Sequence, residues 1–362
     1  MEESNLQAIT LDPELYDLWD KFVDESPQGD VFCYSWWLKA ITKSNFKILA
    51  ILNCNEIQAG IPLAYDENGK INEPPLTRTL GPLFKNIGNI SEHRLLMLNR
   101  KWLNILLKQI SLDEVVQFCT HQNFTDWLPF RWKGYKQMTR YTYLVHYKNQ
   151  TEEDLWNRLI KNRKRDIIKA QKNGFHVEIT NDFELFYHLV EMTYERQGLK
   201  FGFKFDDFKR LDDEIHKRDK RRIFLALDKK NRPIAAIYIA FNRKSAYYLL
   251  SGSDTESRPL GGHTLAWWES LKHFRTRTDC SNFGGSDIER IEKYLRGFGG
   301  TLTHYFHIFT EQPIIKEVPV IKEVPVQLPS PKDNWKYHVR QILYHHYCLL
   351  NKAHHKFFGD AK

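Results

Sequence analysis

Glycines followed by a helix-like run are the first place in this chain where residue type and spacing suggest chemistry. Between 247 and 300 an apolar strand-like run ends in Ser251-Gly252-Ser253, and a basic, glycine-bearing turn follows: Arg258, Pro259, Leu260, Gly261, Gly262, His263. A helix-like run opens at Thr264. Backbone N–H groups at a helix start have no intrahelical partner, and the helix dipole favours negative charge there, so the turn predicts a site for a phosphate-bearing ligand. Glycines also precede helices for packing reasons alone, and both readings stand at this stage. Two carboxylates, Asp254 and Asp287, fall in Gly/Ser loops after strands, where open α/β sheets collect ligands and where turn-forming Asp is also common.

A second cluster lies on the run 151–173, which reads as one helix with Thr151 as its cap and Gly174 as its stop. At about 100° per residue, Leu155, Trp156, Leu159, Ile160, Ile167 and Ala170 share a face. Arg163 falls inside that apolar stripe with Asp166 one turn on, which predicts either a structural ion pair or a guanidinium that holds a substrate anion. Lys161, Lys164, Arg165, Lys169 and Lys172 point outward, as a solvated face or as a surface that steers a polyanion.

The elements that would position these residues follow from periodicity and turn residues. In a first unit, 1–147, strands are expected at 46–53 and 56–65, joined tightly through Asn53-Cys54-Asn55. A helix at 92–110 and strands at 115–119 and 141–147 complete it. The second unit, 148–310, is expected to run helix 151–173, strand 175–180, helices 183–197 and 207–218, and strands 222–227, 233–241 and 245–251. The glycine turn, helix 264–275, strand 280–283, helix 288–295 and strand 301–310 follow. The order predicts an α/β domain with a meander at its centre and a helical crossover after it, an α+β mixed sheet. Residues 311–333 hold five of the 14 prolines and a direct IKEVPV duplication (315–320 and 321–326), and read as an extended spacer. In 334–362, Val339, Ile342, Leu343, Leu350, Ala353 and Phe357 fall on one stripe of a basic amphipathic helix, suited to packing on its own domain or to peripheral contact with a membrane.

Composition sets outer limits. The 362 residues are 42% hydrophobic and 27% charged, as in a folded globular chain. A net charge of +8 and a pI of about 9.0 favour anionic partners: nucleic acid, phosphorylated or lipid-linked substrates, or CoA-type cofactors. Five widely spaced cysteines form no C-x-x-C pair, and the tail's His345-His346 and His354-His355 lack ligand spacing, so no disulfide framework and no metal site is expected. No apolar run approaches a membrane span and the N-terminus is acidic, giving a cytoplasmic expectation, extended to the inner membrane face if the tail lies on lipid.

Strand, two helices, three-stranded meander, glycine turn, helix, strand, helix, strand resembles the GNAT N-acyltransferase fold. Arg258, Gly261 and Gly262 match part of that family's [QR]-x-x-G-x-[GA] pyrophosphate turn. The sixth position is His263, which puts a side chain where backbone usually approaches phosphate. Longer phrases resemble the FemAB-related branch, including BioF2-like acetyltransferases, in which two GNAT-like units lie in tandem. They are NRKRDIIKAQKNG (162–174), SGSD (251–254), FGGSD (283–287) and KYLRGFGG (293–300), with FCYSWWL (32–38) and PPL through GPL (74–83) in the first unit.

The resemblance covers roughly residues 30–310 and implies an enzyme that moves an acyl group from acyl-CoA to an amine, on an amino sugar or a lipid-linked or peptidoglycan precursor. It also implies two alternatives: an aminoacyl-tRNA-dependent transferase acting on a peptidoglycan precursor, and a non-catalytic GNAT-like binding subunit. No insertion the size of the helical hairpin of the tRNA-dependent members is present, which favours the thioester donor. Amine acylation needs a proton acceptor, for which Glu195, Asp254, Asp287 and His263 are the candidates. Arg258, Gly261, Gly262 and His263 would hold the donor; Arg163, Ser251, Lys293 and Arg296 would meet the acceptor.

Overall fold

The computed structural model describes residues 6–115, 117–254, 260–285 and 287–310. Arg258, the 311–333 spacer and the 334–362 helix lie outside the described residues. In chain order the elements begin with β1 (Ala8–Thr10), α1 (Tyr16–Glu25), α2 (Ser35–Thr42), β2 (Phe46–Asn53), β3 (Glu56–Ala64), β4 (Leu83–Phe84), α3 (Glu92–Leu107), β5 (Gln117–Cys119), α4 (Leu128–Trp132) and β6 (Lys136–His146). They continue with α5 (Glu152–Arg158), α6 (Lys161–Lys172), β7 (His176–Thr180), α7 (Phe183–Glu195), α8 (Phe205–Lys217), β8 (Arg221–Leu227), β9 (Pro233–Phe241) and β10 (Ser245–Ser253). Last come α9 (Gly262–Phe274), β11 (Cys280–Asn282), α10 (Glu289–Arg296) and β12 (Thr301–Phe309).

Ile48–Ile51 of β2 and Ala59–Ala64 of β3 are buried without a break, so both faces of these strands are covered, and Cys54 (φ 50°) and Asn55 (φ 62°) supply the two left-handed residues that a tight hairpin demands. These strands sit at the centre of a four-stranded sheet, β1-β2-β3-β4. A second, eight-stranded sheet runs β5-β12-β6-β11-β10-β9-β8-β7. Strand β6, which precedes the 147/148 division, lies inside it, antiparallel to both β12 and β11.

Helices cover both faces of this sheet, so its central strands are near-continuous apolar runs, as PIAAIYIAF in β9 shows. Ile223, Leu225, Ala236, Tyr238, Tyr247 and Leu249 point to the side of α7 and α8, in one core with the first sheet and its helices. Phe224, Ala226, Ile237, Ile239 and Tyr248 point to α6 and α9 in a second core. Buried polar groups tie the N-terminal elements to β10: Asp30 accepts from Phe32 N at 2.9 Å and from the Thr79 hydroxyl, and faces Tyr247 Oη at 3.4 Å. Lys244 Nζ donates to the carbonyls of Val23 (2.8 Å), Asp24 (3.1 Å) and Ser26 (2.6 Å), closing the end of α1.

Helix 151–173 departs from expectation. Thr151 does cap it, in a reciprocal capping box with Asp154, and Gly174 (φ 76°) does stop it. Between them Leu159 and Ile160 are extended, because Ile160 N–H donates to Gly297 O at 3.1 Å instead of continuing the helix. The break turns Ile160 out of the apolar stripe, 44% exposed, and leaves α5 and α6 as separate helices.

One close approach fixes β10 against α7. A Cβ on Gly252 would stand 2.5 Å from Leu189 O and Val190 N, both backbone atoms that cannot rotate away. Gly252→Ala is expected to destabilise the protein by about 1–3 kcal/mol or more, through forced separation of strand and helix. Urea unfolding of the two proteins reads this; equal midpoints would show that the approach is looser than described.

Candidate functional site

Strands β10 and β11 run parallel but pair only from Ser245/Cys280 to Tyr247/Asn282. Beyond that β10 continues to Ser253 while β11 ends, so the sheet parts at the carboxyl ends of two parallel strands, the position at which open α/β sheets hold ligands. A register shift between Tyr248 and Leu250 leaves Leu249 as the bulged residue on the β9 side. On the β10 side of the parting, Ser253 N–H donates to Thr193 Oγ1 (2.8 Å), and Ser253 O accepts from Thr193 Oγ1 and Arg196 Nη1, both at 3.2 Å. The end of β10 is thereby fixed to the last turn of α7.

The structure brings Ser251, Asp254 and Asp287 to the two lips of this parting. Ser251 lies opposite Ile237 in the ladder, and Asp254, half-buried, donates its N–H to Ile234 O at 2.8 Å. Asp287, 74% exposed at its side chain, meets Arg140 Nη1 at 2.6 Å. Glu195 is the exposed last residue of α7, on the β10 side.

Gly261 (φ 87°) is the N-cap of α9 and Gly262 its first residue. A Cβ on Gly261 would stand 2.2 Å from Asp166 O, and one on Gly262 2.4 Å from Ile234 Cδ1, so both glycines let α9 seat on α6 and β9. The first turn of this 13-residue helix carries the kind of N–H donors that a helix start offers an anion. His263 turns toward α10: its Nδ1 is 3.0 Å from Tyr294 Oη, which also meets Thr264 Oγ1 at 3.2 Å.

Arg163 sits beside the same tyrosine. Its Nη1 is 2.9 Å from Asp166 Oδ2, its Nε donates to Tyr294 O at 3.4 Å, and its guanidinium lies 4.1 Å from the centre of the Tyr294 ring. These contacts join α6 to α10. Lys293 and Arg296 are outward on α10, in i,i+4 pairs with Glu289 (2.6 Å) and Glu292 (3.7 Å).

Residues that no spacing in the sequence singled out fill the gap itself. Arg78, from the segment before β4, donates through Nη2 to Leu249 O at 3.3 Å, and its guanidinium comes within 3.6 Å of where a Cβ on Gly284 would stand. It spans the parted strands, from β10 to the loop after β11. Arg140 on β6 stands near it, held by Asp287, with its Nε buried and lacking a hydrogen-bond partner. Both cations bear on Glu73, whose carboxyl burial pushes up to about 7 against the opposing pull of its Cys119 hydrogen bond and of Arg78 and Arg140. Burial, reinforced by Glu73, likewise raises the Cys119 thiol, and burial with Arg140 lowers His307 to about 4. The only sequence hint to this group is the Pro/Gly phrase at 74–83 that surrounds Arg78.

Residues 125–208 match the model of the FemAB family. No curated protein matches the sequence at a significant level. Among solved structures, the crystal structure of FemX is similar at 16% identity over 84% of this chain and 98% of that one, with a TM-score of 0.63. A conserved protein of unknown function from Bacteroides thetaiotaomicron VPI-5482 is similar at 9% identity over 84% of this chain and all (100%) of that one, TM-score 0.51. A tandem GNAT protein from the clavulanic acid biosynthesis pathway is aligned over 85% of this chain and 99% of that one, at 9% identity and a TM-score of 0.45. At these identities the first two likenesses speak to the fold.

Proposed function

We propose that this FemAB-related, GNAT-like chain is an acyltransferase that builds a cell-envelope precursor, moving an acyl group from a thioester donor to an amine. The observation that carries the reading is the parting of β10 and β11, with Arg78 laid across it and carboxylates on both lips. A donor seated with its phosphates on the first turn of α9 extends its acyl group toward the gap beside β10. The neutral amine nitrogen attacks the carbonyl carbon; the C–N bond forms and the C–S bond breaks. The one proton the nitrogen loses passes to a carboxylate at the rim, for which Asp254, Asp287 and Glu195 are the candidates, and from there to the departing thiolate, which leaves as the thiol. Arg78 and Arg140 supply positive charge for an anionic group of the acceptor.

A second reading has its own support. Lys161, Arg165, Lys169 and Lys172 are all exposed on α6, beside the turn that would hold the donor, and form a surface suited to a nucleic-acid backbone. That favours an aminoacyl-tRNA donor, whose ester C–O bond would break in place of C–S.

Incubation of the full chain with envelope-precursor amines and either labelled acyl-CoA or labelled aminoacyl-tRNA, followed by product mass, separates the two. Transfer from CoA is expected, and Arg78→Ala is expected to slow it about 100-fold through lost positioning. Transfer from tRNA alone would move the assignment to the second reading. No transfer from either, with no donor-dependent shift in thermal unfolding, would leave a binding subunit.

A further inference from the structure

Cys119 and His307 are direct cross-strand partners in the antiparallel pair of β5 and β12, which sets their side chains on one face of the sheet. Glu73, from the segment before β4, closes over them. One ligand atom from each of the three lies within 4.8 Å of the other two. Cys119 and His307 are buried and Glu73 half-buried. Two residues along β5 from Cys119, and so on the same face, Gln117 offers its carboxamide oxygen to His307 Nε2 at 3.1 Å. That contact makes Nε2 the protonated nitrogen and leaves the lone pair on Nδ1. His307 is 4% exposed, and its Nδ1 is buried with no hydrogen-bond partner. A thiol, a carboxyl and an imidazole held by Gln117, with one nitrogen lacking a hydrogen-bond partner, thus lie together.

We infer that Glu73, Cys119 and His307 form a binding site for one soft divalent cation of the zinc type. Thiolate, imidazole and carboxylate are the donor set such an ion selects, and ligand atoms around a tetrahedral zinc stand about 3.5 Å apart, a side-chain rotation from the spacing here. Binding forms metal–sulfur, metal–nitrogen and metal–oxygen bonds and releases to solvent the thiol proton and any proton on the carboxyl; no electron is transferred. Because the ion's charge replaces protons, the charge facing Arg78 and Arg140 changes little, and Asp287 already offsets Arg140. Three protein ligands leave the fourth position open. The site would join the 73–80 segment to the β5–β12 edge, and it is independent of the acylation reading, since nothing in its test requires turnover.

The full-length protein, stripped by chelation, is titrated with cobalt(II) and read by absorption. One equivalent is expected to bind, with a near-ultraviolet thiolate-to-cobalt charge-transfer band. Cys119→Ala is expected to abolish the band and weaken binding at least about 100-fold. Cys54→Ala, at an exposed thiol, is expected to leave both unchanged. A bound ion without the charge-transfer band, or equal affinity in Cys119→Ala, overturns the site, as does uptake well below one equivalent. If Cys119→Ala does not fold, the parent protein decides: zinc is expected to protect Cys119 from alkylation, mapped by peptide mass, and unprotected labelling overturns the proposal.

Discussion

Asp212→Ala is expected to cost about 3–5 kcal/mol, the largest loss of any single change outside the apolar core. Asp212 on α8 and Arg221 at the start of β8 have side chains only 2% exposed, with Nε and Oδ1 2.8 Å apart. Arg221 Nε lacks hydrogen-bond alignment, so this closest approach is a charge contact. Tyr238 Oη donates to the same carboxylate at 2.9 Å, and Arg221 Nη1 reaches Asn181 Oδ1 at 3.1 Å. Burial raises the Asp212 carboxyl above its usual range despite Arg221, Tyr238 and Lys209, which pull it down, so desolvation is the larger influence. The pair therefore matters less for the attraction it supplies than for the guanidinium stranded when one partner goes. Urea unfolding should show the midpoint fall at unchanged slope. The double change Asp212→Leu/Arg221→Met should regain most of the loss; if it is as unstable as Asp212→Ala, stranded charge is not the cause.

Gly261→Ala is the second large effect, and it separates fold from donor binding when set beside Gly262→Ala. At φ 87° any other residue pays about 1–2 kcal/mol, and here the new Cβ also meets the Asp166 carbonyl at 2.2 Å, on the backbone of α6. Helix α9 must lift off α6, so a total loss of about 3 kcal/mol or more is expected in thermal or urea unfolding. At Gly262 the first obstacle is the end of Ile234, a side chain able to move, and the expected cost is about 1–3 kcal/mol. A folded Gly262→Ala protein that no longer gains thermal stability from acyl-CoA, where the parent does, would support the donor turn. Unchanged stabilisation would remove it and leave both glycines with packing alone.

Much of the architecture was legible because local signals agreed. Strands 46–53 and 233–241 were readable to the residue: Asn53-Cys54-Asn55 is good turn chemistry, and Pro233 opens a run apolar on both faces. The helix at 151–173 was not, since its break is made by the carbonyl of Gly297, a residue remote in sequence. The site divides in the same way. Ser251 lies near the end of an apolar strand, Asp254, Asp287 and the glycine turn follow strands, and strand ends with the loops after them can be seen in a sequence. Glu73 and Arg78 come from one segment before β4, and Cys119, Arg140 and His307 from β5, β6 and β12; only the closed sheet brings these together, so no spacing could announce them.

The insertion of β6 between β12 and β11 has a consequence for how the molecule is made. During synthesis β6 leaves the ribosome before either of its neighbours exists, and its buried apolar segment, Tyr143–Val145, must wait unpaired until Ser281 and Asn282 of β11 and then Thr301 and Leu302 of β12 have followed. For the same reason the chain is a natural candidate for a split pair. A polypeptide beginning at 148 would carry two naked strand edges where β6 belongs, and one ending at 147 would hold the single piece that fits between them.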